Sequence, residues 1–319
     1  MKYAFFPGCS LESTAWDFDR STRAVCRALG IELEDIPDWV CCGSTPAHAS
    51  NAALAVALPV ANLQKAQALG LPVMAACASC YARLRTANHK VQNAEADRQQ
   101  AERITGKPYD GRVEVHHVLD VLVNHFGLDA IRAKVGQVAN LPPTTENRGR
   151  TAGWQPAPRL AGLRVACYYG CLLTRPPEIV AFDDAEHPTS MDDLIAATGA
   201  EPVEWPYKTE CCGASLSMTR SGVVTRLGHK LLSMARRAGA ECIAVACPLC
   251  QVNLDLRQAD AAKAHGPIPQ TPVLYVTQLL GLALGLSFEE LGINALTVSA
   301  ASLLGERGAT AVAARGGNS

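Results

Sequence analysis

Thirteen cysteines stand in 319 residues, and ten of them repeat one pattern twice. The early half carries Gly8-Cys9, Cys41-Cys42-Gly43 and Ala76-Cys77-x-x-Cys80. The late half carries Gly170-Cys171, Cys211-Cys212-Gly213 and Ala246-Cys247-x-x-Cys250. Thirty-four residues separate Cys42 from Cys77, and again Cys212 from Cys247. The offset between halves is 170 at the last four cysteines and 162 at the first, because the late half holds eight more residues before its Cys-Cys pair. Self-similarity of this kind marks a tandem duplication. The N-terminus, MKYAFFPGCS, places Pro, Gly and Cys where an export signal needs its apolar run. Without such a signal, repeated cysteines point to metal or redox chemistry rather than to disulfides.

The count of thiols narrows the metal. A structural zinc site takes four ligands and usually pairs two Cys-x-x-Cys hairpins. Each half here offers five thiols, as one Cys-x-x-Cys, one adjacent pair and one distant cysteine. An iron–sulfur cluster suits that set better, and zinc in one or both halves is the alternative. The Cys-x2-Cys-x2-Cys spacing of ordinary ferredoxins is absent, so a standard cubane is not signalled. Cys26, Cys167 and Cys242 fall outside the repeat. Cys26 and Cys242 read as buried, inert thiols, and Cys167 sits inside an apolar strand four residues before Cys171.

The elements that must position these thiols repeat as well. Apolar runs at 3–6, 31–36, 73–76 and 113–115 read as buried strands, with counterparts at 164–168, 202–205, 242–246 and 273–276. Between them, Ala- and Leu-rich stretches with helical period cover 13–29, 47–69 and 80–104, then 191–198, 221–238 and 250–264. Strands alternating with amphipathic helices give an α/β fold: two tandem similar domains, each a small parallel sheet of about four strands flanked by helices. The Pro-, Gly- and Thr-rich stretch 140–160 reads as the linker. This gives a first cysteine-rich domain over 1–139, a second over 161–286, and a C-terminal helix and tail over 287–319. In a parallel sheet the carboxyl ends of the strands share one edge, where helix N-termini also begin. Cys9, the 41/42 pair and the 77/80 pair all follow strands, so residues distant in sequence converge there.

Composition closes off other functions. Twenty-nine Lys and Arg stand against 30 Asp and Glu, for a formal net charge of -1, which leaves no electrostatic footprint for nucleic acid. The longest apolar stretch, 272–288, is broken by Thr277 and Gln278 and fits a strand and a core helix, whereas a membrane span needs about 20 apolar residues. A cytoplasmic protein is expected. No Gly-x-Gly-x-x-Gly nucleotide loop is present, so electrons must arrive from another chain.

The ten cysteines form the CCG motif, and the chain resembles the B subunit of heterodisulfide reductase, which carries two such motifs. The likeness spans nearly the whole chain and includes Phe6-Pro-Gly-Cys9, Tyr169-Gly-Cys171, Cys171-Leu-Leu-Thr-Arg-Pro176, Cys247-Pro-Leu-Cys250 and Tyr275-Val-Thr-Gln-Leu-Leu280. The 34-residue gap is marginally short for that family. The resemblance implies two non-cubane [4Fe-4S] clusters, one on Cys9, Cys41, Cys42, Cys77 and Cys80 and one on Cys171, Cys211, Cys212, Cys247 and Cys250. It implies no catalytic residue beyond the clusters, which face each other across a cleft and cleave a disulfide, such as CoM-S-S-CoB or a related thiol carrier, between them. The implied partners are a ferredoxin-like C subunit, with a flavin-bearing A subunit behind it. The chain would then be a disulfide-acting oxidoreductase component of that complex.

Two other functions compete. One is pure electron transfer, as in the CCG-bearing subunits of glycolate, lactate or glycerol-3-phosphate dehydrogenases. The other is a zinc-stabilised scaffold, which predicts no visible absorption. Among polar neighbours, His48 lies five residues past the first Cys-Cys-Gly turn and reads as a surface histidine, with proton donation as the sharper role. His116, His117 and His125 read as structural residues after the fourth strand. Lys208 and Arg220 flank the second Cys-Cys pair and read as exposed charges, with offsetting the negative charge of a thiolate-rich cluster as the sharper role.

Overall fold

The computed structural model describes residues 1–44, 46–139 and 160–305. The stretches 140–159 and 306–319, which hold nearly all of the expected linker and the end of the expected tail, lie outside the described residues. Among the described residues eight strands form two four-stranded sheets, every pairing parallel. In the first, β1 (Lys2–Phe6), β2 (Glu32–Asp35), β3 (Val73–Ala75) and β4 (Val115–His117) stand in the order β2-β1-β3-β4. In the second, β5 (Arg164–Tyr168), β6 (Glu201–Pro202), β7 (Cys242–Val245) and β8 (Val273–Tyr275) stand in the matching order β6-β5-β7-β8. The central strands are buried throughout apart from the exposed first residues Lys2 of β1 and Arg164 of β5, as parallel strands covered on both faces must be. The edge strand β2 is polar and half-exposed, with Lys2 paired to Glu34 at 2.7 Å.

This order has a consequence for ligands. From β1 the chain steps outward to β2, then crosses back over β1 to β3. Crossovers of this type are right-handed, so reversing direction places successive helices on opposite faces. Trp16–Leu29 covers one face, while Ala52–Leu69, Ala78–Asn93 and Glu95–Thr105 pack together on the other. The reversal opens a crevice at the carboxyl ends of β1 and β3, the usual ligand position in such sheets. Cys9 follows β1 and Cys77 follows β3. The late half repeats this at β5 and β7 with Cys171 and Cys247.

Several boundaries differ from the sequence expectation, for local reasons. The fourth strand begins two residues later than expected, at Val115, and Val113 O instead accepts from Asn88 Nδ2 at 2.8 Å. His116 and His117 therefore lie in β4 rather than after it. The sixth strand is only two residues long. Val203 N still reaches Val165 O at 2.9 Å, but the next carbonyl in line, Cys167 O, is taken at 3.0 Å by the Trp205 indole N–H. The helix expected over 80–104 divides at Ala94, whose backbone is extended.

The two halves interlock reciprocally. The helix Val276–Ala283, which follows the last strand of the second half, packs on Trp16–Leu29 of the first. The helical run after β4 packs on Ser190–Ala197 of the second. At the first junction Phe18 stacks on Tyr275 with ring centroids 4.0 Å apart, and Ser21 Oγ meets Thr277 Oγ1 at 2.7 Å. Gln278 Nε2 donates to Asp17 Oδ2 at 3.2 Å. Burial pushes the Asp17 carboxyl up to about 6, with the Gln278 bond pulling the other way. A raised carboxyl stabilises the fold below its unfolded pKa of 3.8 and loses that contribution as pH rises through about 6. Asp17→Asn is therefore expected to exceed the parent in stability by about 1–3 kcal/mol at pH 7.5 and to match it near pH 4. Urea unfolding at both pH values checks this, and a pH-independent gap would contradict it.

Candidate functional site

All ten repeat cysteines gather at the facing edges of the two sheets, and none is in a disulfide. In the first set Cys42 Sγ lies 3.4 Å from Cys80 Sγ, Cys41 donates a hydrogen bond to Cys42, and Cys80 donates one to Cys77. Cys9, at the rim, is exposed and acts electrostatically on Cys41. In the second set Cys212 Sγ lies 3.6 Å from Cys250 Sγ and Cys171 Sγ lies 3.8 Å from Cys211 Sγ, with Cys247 bonded to Cys250. Two thiolates on one tetrahedral metal with bonds of about 2.3 Å stand about 3.8 Å apart, so these gaps suit thiols that share a metal.

The two sets also meet. Cys77 donates to Cys247, and these residues are the N-caps of Ala78–Asn93 and Pro248–Asp255. Bonds from Cys250 and Cys77, together with the first backbone amides of that helix, hold the Cys247 thiol well below its usual range. In the first set the bond from Cys41, with a second from Cys80, pulls Cys42 down to about 3. Thiols with loosely held protons are ready to exchange them for a cation.

Backbone anchors fix each cysteine turn. Asn62 is fully buried and clasps Val40, accepting from its N–H at 2.8 Å and donating to its carbonyl at 2.9 Å, just before the Cys41–Cys42 turn. In the late half Tyr168 Oη donates to Glu210 O at 2.6 Å, and Asn253 Nδ2 donates to Cys212 O at 3.2 Å. Lys208 corrects the sequence reading. It is buried, its ammonium 2.9 Å from Asp192 Oδ1, while its carbonyl accepts from Tyr169 N and Gly170 N at 2.9 and 3.1 Å. It holds the Cys171 turn in place and balances a carboxylate rather than a cluster. Arg220 is exposed, as expected.

His117 is the residue whose role sequence reasoning missed. Fully buried, its Nε2–H reaches Ala76 O at 2.7 Å and Ala246 O at 3.1 Å, while Nδ1 accepts from Leu119 N at 3.1 Å. One neutral imidazole thus ties together the residues preceding Cys77 and Cys247. Burial pushes its pKa down to about 4. The register places Tyr275 at the matching position of the second sheet. Its buried hydroxyl makes no hydrogen bond, and both Cys247 and Cys77 bear on it electrostatically. Cys26, Cys167 and Cys242 are buried as expected, and burial raises Cys26 to about 12.

A cavity of about 430 Å³ opens over the second set, in the size range of small-molecule sites. Cys171, Cys211 and Cys247 line it with Leu172 and Leu249, while His48, Ser79 and Arg83 of the first half form the opposite wall. His48 is exposed, and the Arg83 charge lowers its pKa. It is therefore a poor proton donor at neutral pH.

Gly8 and Gly170 test whether this space fits a bulky group. Both have φ of +68°, a region L side chains rarely enter. A Cβ on Gly8 would lie 2.9 Å from Cys80 Sγ, and one on Gly170 would lie 3.1 Å from Cys250 Sγ. The donor set, the unpartnered Tyr275 hydroxyl and these cleared positions fit a thiolate-ligated metal cluster in each half. With one metal cluster expected in each half, Gly8→Ala should lower metal content per chain by about half, by obstructing the first. Gly30→Ala carries similar backbone strain (φ +76°) but meets nothing within 4 Å, so it should keep full metal. Equal metal in both variants would refute the assignment.

Comparison with known proteins agrees with this geometry. The family model for the CCG cysteine-rich domain matches residues 3–85 and 165–255. The chain is 30% identical over 303 residues to the 8-methylmenaquinol:fumarate reductase membrane anchor subunit of Wolinella succinogenes, covering 95% of this chain and 99% of that one. It is also 30% identical over 301 residues to the B subunit of the ferredoxin/F(420)H(2)-dependent CoB-CoM heterodisulfide reductase of Methanosarcina acetivorans, covering 92% of each. A crystal structure of a hypothetical protein from Helicobacter pylori shares the fold, with a TM-score of 0.67 at 11% identity. That match covers 93% of this chain but only about half, 52%, of the solved one. Among the described residues no helix is long and apolar enough to cross a membrane. With two matched cysteine-rich regions and near-full-length relatives, the chain belongs to the CCG family of cysteine-rich domain proteins.

Proposed function

We propose that this chain is the disulfide-acting component of a heterodisulfide reductase-like complex. In this reading it holds two non-cubane [4Fe-4S] clusters, one on Cys9, Cys41, Cys42, Cys77 and Cys80, the other on Cys171, Cys211, Cys212, Cys247 and Cys250. The observation that carries it is the meeting of two five-thiol sets at Cys77 and Cys247, beside a cavity that reaches the thiols. Breaking a disulfide takes two electrons, and two bound clusters would supply one each.

The chain's own side chains give the cavity its selectivity. Leu172 and Leu249 offer an apolar wall that keeps water from a bound S–S bond. Across from them Arg83 supplies a half-buried cation, its guanidinium made costlier by burial and favoured by the nearby Cys42. A small disulfide with an anionic tail suits that arrangement, with the tail on Arg83 and the sulfurs toward the cysteines. Electrons would come from a flavin-bearing A subunit through a ferredoxin-like C subunit. The Methanosarcina relative, named as the B subunit of a heterodisulfide reductase, supports a role within a multi-subunit complex.

A second reading, electron transfer without disulfide chemistry, draws on the Wolinella relative, which is named as a subunit of a fumarate reductase and matches at equal identity. Turnover separates the two. Iron-loaded protein with reduced viologen should reduce a small anionic disulfide, and Arg83→Gln should raise its KM about tenfold, the equivalent of about 1.4 kcal/mol, with little change in kcat. Replacing both Cys41 and Cys42 by Ala should remove about half the iron and most of the turnover. An iron-replete protein that reduces no disulfide yet passes electrons to an acceptor supports the second reading instead.

A further inference from the structure

Away from the cysteine edge, three side chains converge on one point. His116 lies on β4, Asp120 lies four residues later, and His125 lies in the π-helical segment Val121–Gly127. Their ligand atoms all fall within 4.8 Å of one another. His116 Nδ1 is 2.9 Å from Asp120 Oδ2, and His125 Nε2 is 3.9 Å from the same oxygen. The π-helix accounts for the convergence. Its i→i+5 hydrogen bonding and wider turn bring position 125 beside position 120 as well as position 124.

What separates this cluster from an ordinary ion pair is how its outer atoms are held. Metal-binding histidines nearly always engage their second ring nitrogen elsewhere, which fixes the ring and its tautomer. Here His116 Nε2 is 3.3 Å from Glu114 Oε2, and His125 Nδ1 is 3.1 Å from the Tyr3 hydroxyl. The outer Asp120 oxygen, Oδ1, accepts from Asn124 Nδ2 at 2.8 Å. Each of the three residues thus has one atom secured from outside and one turned to the common point. Donors bound to one tetrahedral ion at about 2.0–2.1 Å stand roughly 3.3 Å apart, and the two separations from Asp120 bracket that value.

We propose that His116 Nδ1, Asp120 Oδ2 and His125 Nε2 form a binding site for a divalent first-row transition cation of the zinc type. Two imidazoles and one carboxylate are a nitrogen/oxygen set that leaves a fourth position for water. That position opens beside His125, whose side chain is 34% exposed, while Asp120 is 9% exposed. The site joins the end of β4 to the helix after it, one residue from the His117 bridge. It draws on none of the ten repeat cysteines, so it stands apart from the disulfide reading.

The test uses the full chain with its iron loaded, so that the repeat thiols are occupied. After chelator treatment, anaerobic titration with zinc should load one ion per chain. Zinc-edge X-ray absorption should show nitrogen and oxygen neighbours at about 2.0–2.1 Å and no sulfur near 2.3 Å. His125→Gln and the isosteric Asp120→Asn should each weaken zinc binding at least tenfold while leaving iron per chain unchanged. A sulfur shell around zinc, no zinc uptake by the parent, or equal uptake by both variants would overturn the proposal. The absorption experiment needs only the parent protein, so it decides even if a variant folds poorly.

Discussion

The fold turns on the contact between Cys77 and Cys247. Bringing two thiols together at the N-termini of two helices sets positive helix ends around one buried pair, in which Cys77 keeps its proton and Cys247 is held well below the usual thiol range. Such a contact survives only if the backbones behind it cannot slide. His117 supplies that restraint by donating to the carbonyls of Ala76 and Ala246. A charged histidine there would put an unpaired cation into the core, and burial holds the ring neutral. The reciprocal packing of each half's last helix on the other's first then locks the sheets around the contact. The two cysteine sets are one site with two parts, because neither helix N-terminus can move without the other.

Duplication explains why this arrangement is reachable. A parallel sheet with a direction reversal between its first and third strands delivers a crevice at their carboxyl ends. One copy places five thiols around that crevice. A second copy, turned to face the first, puts two crevices mouth to mouth. Only the residues on the shared boundary then need to differ between copies, and they do: His117 in one sheet is matched by Tyr275 in the other.

Much of this was legible in the residues alone. The constant 34-residue gap gave the duplication, and the position of cysteines after apolar runs gave their convergence at one sheet edge. The all-parallel pairing followed from strands alternating with helical stretches. Other features were illegible because they depend on contacts with no local signature. Val113 reads as a strand residue, yet Asn88 takes its carbonyl from a neighbouring helix. Lys208 reads as a surface charge beside two cysteines, and only the fold reveals Asp192, sixteen residues away, as its buried partner. His117 sits in a His-His pair whose members point opposite ways, as successive strand residues must. One bridges the halves and the other turns toward Asp120. Strand alternation carried that split in the sequence, but the late start of β4 hid it.

The symmetry of the ligands does not extend to their surroundings. The cavity is lined by cysteines of the second set and by polar residues of the first half, so a small molecule entering it meets the two sets unequally. Arg83 acts on Cys42, while the second set has Tyr168 packed behind it where the first has Phe6. A cation near one set and a phenol near the other bias electron density differently at two otherwise matched sites. Equal sites would give a passing electron no preferred direction. The differences lie in the residues around the thiols rather than in the thiols themselves. Divergence could therefore tune these surroundings after duplication without disturbing the ten repeated cysteines.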